Sequence, residues 1–188
     1  MKVIVQIPCF NEEKTLPITF AGLPRVLRGG HRIEVLVIDD GSVDRTLETA
    51  RRLGVDHLLV LPTHQGLARA FMAGLEESLR LGADVIVNTD GDNQYDARDL
   101  ERLIAPILEG SADLVVGDRD LQAIGHFSAV KKLLHRLGDR IMVRLAGIDR
   151  MDSTSGFRAY SREAALRLNV FSRFTYTLET LIQAGKKG

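Results

Sequence analysis

The stretch NTDGDNQYD, residues 88–96, sets Asp90 and Asp92 on either side of Gly91, just past the largely apolar run 83–87. Two carboxylates that close together repel unless a positive charge or water offsets them. A hard divalent cation does this well, because Mg²⁺ and Mn²⁺ favour oxygen ligands. The competing reading is an ordinary turn, since Asp, Gly and Asn are all turn residues. Three further polar clusters could join this chemistry: PCFNEE at 8–13, DDGS at 39–42 and GDRD at 117–120.

Those clusters need elements to position them. Strand-like runs fall at 2–7, 34–38, 57–61, 84–87 and 112–116, and helical patterns at about 13–27, 44–53, 66–81 and 97–108. Such alternation predicts an α/β fold, a mainly parallel central sheet flanked by helices on both faces. In such sheets ligands bind beyond the carboxyl ends of the strands, where all four clusters lie. No GxGxxG follows the first strand and no GxxxxGK[ST] occurs, so neither a dinucleotide fold nor a P-loop is expected. A nucleotide diphosphate bound here would need another counter-charge. A metal held by Asp90 and Asp92 would supply it.

Composition bounds the rest. The 188 residues suit one domain, 1–188, with no repeat or low-complexity linker. Lys plus Arg and Asp plus Glu are 25 each, which argues against a nucleic-acid-binding protein. The single cysteine, Cys9, cannot form an internal disulfide and reads as a packed residue in a reduced, cytosolic setting. No apolar run reaches the length of a membrane span. The chain ends in QAGKKG after a helical pattern, with no closing strand, so a longer native protein with spans beyond Gly188 is an open expectation.

Taken in order, IPCFNEE, VIDDGSVDRT, TDGDNQ, VVGDRD and DSTSGFRAY resemble the family 2 glycosyltransferases, which have the GT-A fold. The nearest branch is that of the dolichyl-phosphate mannose synthases and bacterial undecaprenyl-phosphate sugar transferases. The resemblance runs from Lys2 to about Gly185. It implies a nucleotide-binding half at about 1–117 and an acceptor half at about 118–188. It further implies that Pro8, Phe10 and Glu12 line the nucleoside pocket, that Asp40 meets the base, and that Gly66 belongs to the same set. Asp39 is expected to support the loop, and Asp39 or Asp44 could equally cap the next helix. Asp90, Asp92 and Gln94 would hold Mn²⁺ or Mg²⁺ with the donor diphosphate, and Gly91 would let the nucleoside diphosphate sugar approach. Arg119 would face a phosphate, or else pair with Asp118 or Asp120 on the surface.

The acceptor side rests on residues 127–147, a predicted long helix with an apolar stripe at Val130, Leu133, Leu134, Leu137, Ile141 and Leu145. Lys132, Arg136, Arg140 and Arg144 form a basic row, and Lys131 and His135 a second. A surface helix with a solvated face and a helix lying in a membrane interface are both open. The resemblance, whose acceptor is a polyprenyl phosphate, favours the interface and a protein peripheral to the cytoplasmic face of the membrane. It places Lys131 and His135 at the acceptor phosphate and Asp152 as the candidate catalytic carboxylate. A phosphate monoester has a second pKa of about 6 and is already ionised near neutrality, so Asp152 would orient more than abstract a proton.

A hydroxyl acceptor on a sugar or protein, and a non-catalytic nucleotide-sugar module, are the rival readings. A nucleotidyltransferase would open on a Gly-rich basic loop, which PCFNEE is not. A processive synthase would need the Trp of QxxRW, and the chain has no Trp. The base, the sugar and the oligomeric state are not set by the sequence; a homo-oligomer is compatible with it.

Overall fold

The computed structural model describes residues 1–27, 29–91, 99–118, 153–172 and 175–187. Strands β1 (Val3–Cys9), β2 (Ile33–Asp39), β3 (His57–Val60), β4 (Val85–Asn88), β5 (Leu114–Val116) and β6 (Arg158–Ser161) form one sheet in the order β3-β2-β1-β4-β6-β5. The β1–β2, β2–β3 and β1–β4 ladders are parallel, and β6 runs antiparallel to both β4 and β5. Helices α1 (Leu16–Gly22), α2 (Thr46–Leu53), α3 (Leu67–Arg80), α4 (Leu100–Leu108), α5 (Arg162–Arg167) and α6 (Thr177–Lys187) complete the described elements.

Strand alternation sorts the core into two layers, because successive side chains point to opposite faces. Val3, Val5, Ile7, Val35, Val37, Val85 and Val87 pack with Leu16, Ala50, Leu103 and Ile104, from α1, α2 and α4. Ile4, Leu36, Ile38 and Ile86 pack on the other face with Phe71, Leu75, Ala165 and Tyr176. The expected mainly parallel sheet with helices on both faces is therefore what the chain builds.

Two expectations are corrected. The predicted helix at 13–27 is only Leu16–Gly22, since Pro17 sits in its first turn and Leu23, with ψ 130°, takes the extended conformation imposed before Pro24. The DSTSGFRAY segment, which lies outside the five expected strands, becomes strand β6 from Arg158 onward, fully buried between β4 and β5. Four residues beginning with Arg carry too little apolar alternation to announce a strand; two flanking ladders supply its backbone partners instead.

At the amino-terminal end of the sheet, Glu34 accepts from His57 Nε2 at 2.7 Å and pairs with Lys2 Nζ at 2.8 Å. The hydrogen bond from His57, then that from Lys2, hold its pKa below the usual 4.5. A depressed carboxylate contributes stability above its unfolded pKa and loses it as pH falls through the folded value. Glu34→Gln is expected to be less stable than the parent by up to about 1 kcal/mol near neutral pH. At a pH well below 4.5, once the lowered folded value has been passed, the difference should close. Denaturant melts at the two pH values check this, and a gap that persists in acid would refute it.

Candidate functional site

The loops after β1 and β2 are stitched together. Asn11, with φ 58°, adopts the left-handed conformation that Asn tolerates better than most residues. Its Oδ1 accepts from Val43 N at 2.9 Å and its own N–H donates to Ser42 Oγ at 3.0 Å. Glu12 N donates to Thr46 Oγ1 at 2.7 Å and Glu13 N to Asp44 Oδ2 at 3.2 Å. Asp44 also accepts from Thr46 N at 2.9 Å, steadying the first turn of α2, and these bonds keep its carboxyl below the usual range against the opposing cost of burial. Asp39 accepts from Ser42 N at 3.3 Å, the loop-supporting role expected of it. The clasp presents Phe10 and Glu12 to a cleft of about 210 Å³ beyond the strand ends, lined also by Pro8, Cys9, Asp40, His64, Leu67, Ala70, Asp90 and Gly91.

Asp40 anchors the cleft wall. It is 2% exposed, and its carboxylate accepts from Gln65 N and Gly66 N, each at 2.8 Å. His64 Nδ1 lies 2.8 Å from the same carboxylate. Gly66 has φ +90°, a conformation that favours glycine, at the start of α3. The imidazole of His64 in turn stacks on Phe10, with centroids 3.7 Å apart and planes 23° from parallel. The cleft thus carries an aromatic platform tied to a buried carboxylate, an arrangement suited to a flat heterocycle.

Asp90 follows β4 into the same cleft. Thr19 Oγ1 of α1 donates to Gly91 O at 3.1 Å, fixing the turn from below. A Cβ at Gly91 would sit 3.2 Å from Cys9 Sγ and 3.5 Å from Glu12 Cγ. Its bare Cα therefore serves packing of the turn against β1, a reason additional to the expected approach of a donor. Cys9 is buried, and burial first, then the charges of Glu12, Asp39 and Asp44, push its thiol pKa far up. A thiol so disfavoured from ionising is a packed residue and not a nucleophile.

Among the expected site residues, Pro8, Phe10, Glu12, Asp40, Asp90 and Gly91 come together on this cleft, with Gly66 bonded to Asp40 behind it. Asp92, Gln94, Arg119, Lys131, His135 and Asp152 lie outside the described residues, as does the predicted helix at 127–147. No cluster of three or more His, Cys, Asp or Glu suited to a metal occurs among the described residues. Asp90 fits as one hard oxygen ligand at the cleft; the expected Asp92 and Gln94 would have to complete the set.

Sequence reading passed over His64 and a buried polar row. Gln6, Asn88 and Arg158 lie side by side across β1, β4 and β6, on the face that packs on α3 and α6, and each is fully buried. Gln6 Nε2 donates to Asn88 Oδ1 at 2.9 Å, and Asn88 Nδ2 donates to Gly156 O at 2.9 Å and Tyr176 Oη at 2.8 Å. The available signal was a single amide breaking each of two apolar strands, at positions that alternation assigns to the core.

Comparison with known proteins gives the family and the fold. The family profile described as Glycosyl transferase family 2 matches residues 4–168. The chain belongs to glycosyl transferase family 2. It is 32% identical to the undecaprenyl-phosphate mannosyltransferase of Micrococcus luteus, over 85% of this chain and 66% of that protein. It is 29% identical to the polyprenol monophosphomannose synthase of Mycolicibacterium smegmatis, over 90% of this chain and 65% of that one. The chain thus spans just under two thirds of each of these relatives. Its GT-A fold is shared with glucosyl-3-phosphoglycerate synthase from Mycobacterium tuberculosis, solved with Mn²⁺ and UDP, at a TM-score of 0.66. That likeness covers 89% of this chain and 59% of the other at 23% identity. No helix among the described residues is long and apolar enough to cross a membrane.

Proposed function

We propose that the protein transfers a sugar from a nucleoside diphosphate sugar to a polyprenyl phosphate, with inversion at the anomeric carbon. The observation that carries the donor half is the convergence of Phe10, Asp40 and Asp90 on one cleft at the strand ends. The base would lie against the Phe10–His64 platform, with Asp40 accepting from a ring N–H of uracil or guanine or holding the loop that does so. Asp90, joined by Asp92 and Gln94, would hold Mn²⁺ or Mg²⁺. When bound, such an ion offsets the charge of a leaving diphosphate.

The acceptor half is supported by the names of the relatives, one a polyprenol monophosphomannose synthase and one an undecaprenyl-phosphate mannosyltransferase. An oxygen of the acceptor phosphate attacks the anomeric carbon from the face opposite the diphosphate. The new C–O bond forms as the bond to the nucleoside diphosphate breaks, and the leaving group takes the electron pair. Arg119, Lys131 and His135 would gather the acceptor phosphate, and Asp152 would orient it. On this reading the protein would work at the cytoplasmic face of a membrane.

The test is a transfer assay with UDP- and GDP-linked sugars, Mn²⁺ and a polyprenyl phosphate in detergent. A lipid-linked sugar monophosphate is the expected product. Transfer only to a saccharide or peptide hydroxyl would overturn the acceptor assignment. Metal-dependent nucleotide binding without transfer to either would mark a binding module and overturn the enzyme reading.

A further inference from the structure

The carboxylate of Asp90 rests against a second segment of chain, far away in sequence. A Cβ built on Gly156 would lie 2.5 Å from Asp90 Oδ2 and 2.8 Å from Oδ1. Real Cβ atoms essentially never approach another heavy atom that closely, so the bare Cα of Gly156 forms the seat of the carboxylate. The backbone of Gly156 is not in the left-handed region. An alanine there carries no left-handed backbone strain, and the three heavy atoms nearest its Cβ all belong to the Asp90 carboxyl.

The seat is itself held from two sides. Asn88, two residues before Asp90, donates to Gly156 O at 2.9 Å. On the other side, Arg158 Nε donates to Ser155 O and Nη2 to Ser153 O, at 2.7 and 2.8 Å. The same guanidinium reaches into α6 through Nη1, at 2.7 Å from Thr177 O and 2.9 Å from Thr180 Oγ1. Tyr176, just before α6, stacks on Phe71 of α3, with centroids 3.8 Å apart and planes 3° from parallel. The segment carrying Gly156 is therefore pinned to β4, β6 and α6 by buried groups, and it cannot drift from Asp90 without breaking several hydrogen bonds.

We infer that Gly156 is a positioning residue for Asp90, and that Arg158 and Asn88 set how closely its backbone supports that carboxylate. The inference rests on the reading above that Asp90 serves the donor site. An aspartate has few rotamers, and one wall in contact with both its oxygens limits them further. Metal sites tolerate ligand displacements of only a few tenths of an ångström. Moving Asp90 by the amount a methyl group demands should therefore cost metal-dependent affinity before it costs the fold.

The experiment compares the parent chain with Gly156→Ala, Asp90→Ala and the double variant. Each is titrated calorimetrically with UDP and with GDP, in Mn²⁺ and then in chelator, and each is melted. Gly156→Ala is expected to lose about ten-fold or more in Mn²⁺-dependent nucleotide affinity, with metal-free affinity and thermal midpoint close to the parent's. In the Asp90→Ala background the same change should add nothing. Parental affinity in Gly156→Ala, alongside a loss in Asp90→Ala, would overturn the positioning role and leave the donor site standing. Parental affinity in Asp90→Ala would overturn the donor-site reading itself. Should Gly156→Ala fail to fold, the inference requires the double variant to recover, since the clashing carboxylate is gone; no recovery would overturn it.

Discussion

Arg158→Ala should lower the thermal midpoint of the protein by about 6–20 °C, following from a loss of about 3–5 kcal/mol, from the cavity and the lost hydrogen bonds, at roughly 2–4 °C per kcal/mol for a chain of this size. Arg158 is fully buried, yet its four described hydrogen bonds go to neutral oxygens, of Ser153, Ser155, Thr177 and Thr180. A buried guanidinium is costly to desolvate, and here hydrogen bonds and the nearby Tyr176 ring, 5.9 Å away, offset that cost. Truncation would remove the Arg158 donor from Ser153 O, Ser155 O and Thr177 O, of which the last keeps the Thr180 hydroxyl, and leave a cavity the size of the side chain. Arg158→Lys should recover little, because one ammonium cannot reach acceptors that a planar fork spans. Thermal melts followed by circular dichroism decide it. A midpoint within about 2 °C of the parent's would show that α6 and the 153–156 segment are held by other contacts.

Asp40→Asn is the functional counterpart. Three donors converge on this carboxylate, two from the backbone of Gln65 and Gly66 and one from His64. An amide keeps one oxygen but turns an NH₂ toward a donor, so a favourable contact becomes a repulsive one. The expected cost is about 2–4 kcal/mol of stability, given about 1.5–3 kcal/mol for a hydrogen bond to a charged group. Nucleotide affinity should fall at least about ten-fold, because His64 is no longer held flat on Phe10 and the cleft wall loosens. Titration of UDP and GDP into parent and variant measures the affinity, and urea melts measure the stability. Unchanged affinity would remove Asp40 and the loop it holds from nucleotide recognition.

Both predictions depend on residues whose importance is unevenly visible in the chain itself. Asp40 stands out as the second residue of a DD pair after an apolar strand, and Asp90 as the first of a DxD. Such strand-end acids are legible because strand period and turn chemistry are local properties, written in consecutive residues. The same locality explains why β1 to β5, and helices on both faces, could be read directly.

Arg158 was hidden for the opposite reason. An arginine beside Phe157 looks like one more polar residue in a loop until β4 and β5 close around it and α6 supplies acceptors from 19 and 22 residues away. The antiparallel course of β6, the row Gln6–Asn88–Arg158, the stack of Phe10 on His64 and the seat of Asp90 on Gly156 are all pairings between distant segments. Local pattern shows that Asp90 leaves a core strand into a turn and that a carboxylate there can meet a cation. Only the packed sheet decides what lies behind that carboxylate. The Gly156 segment behind it is held by Asn88 of β4 and by Arg158 of β6, which reaches α6, and their approach depends on which strands pair and not on what any one of them contains.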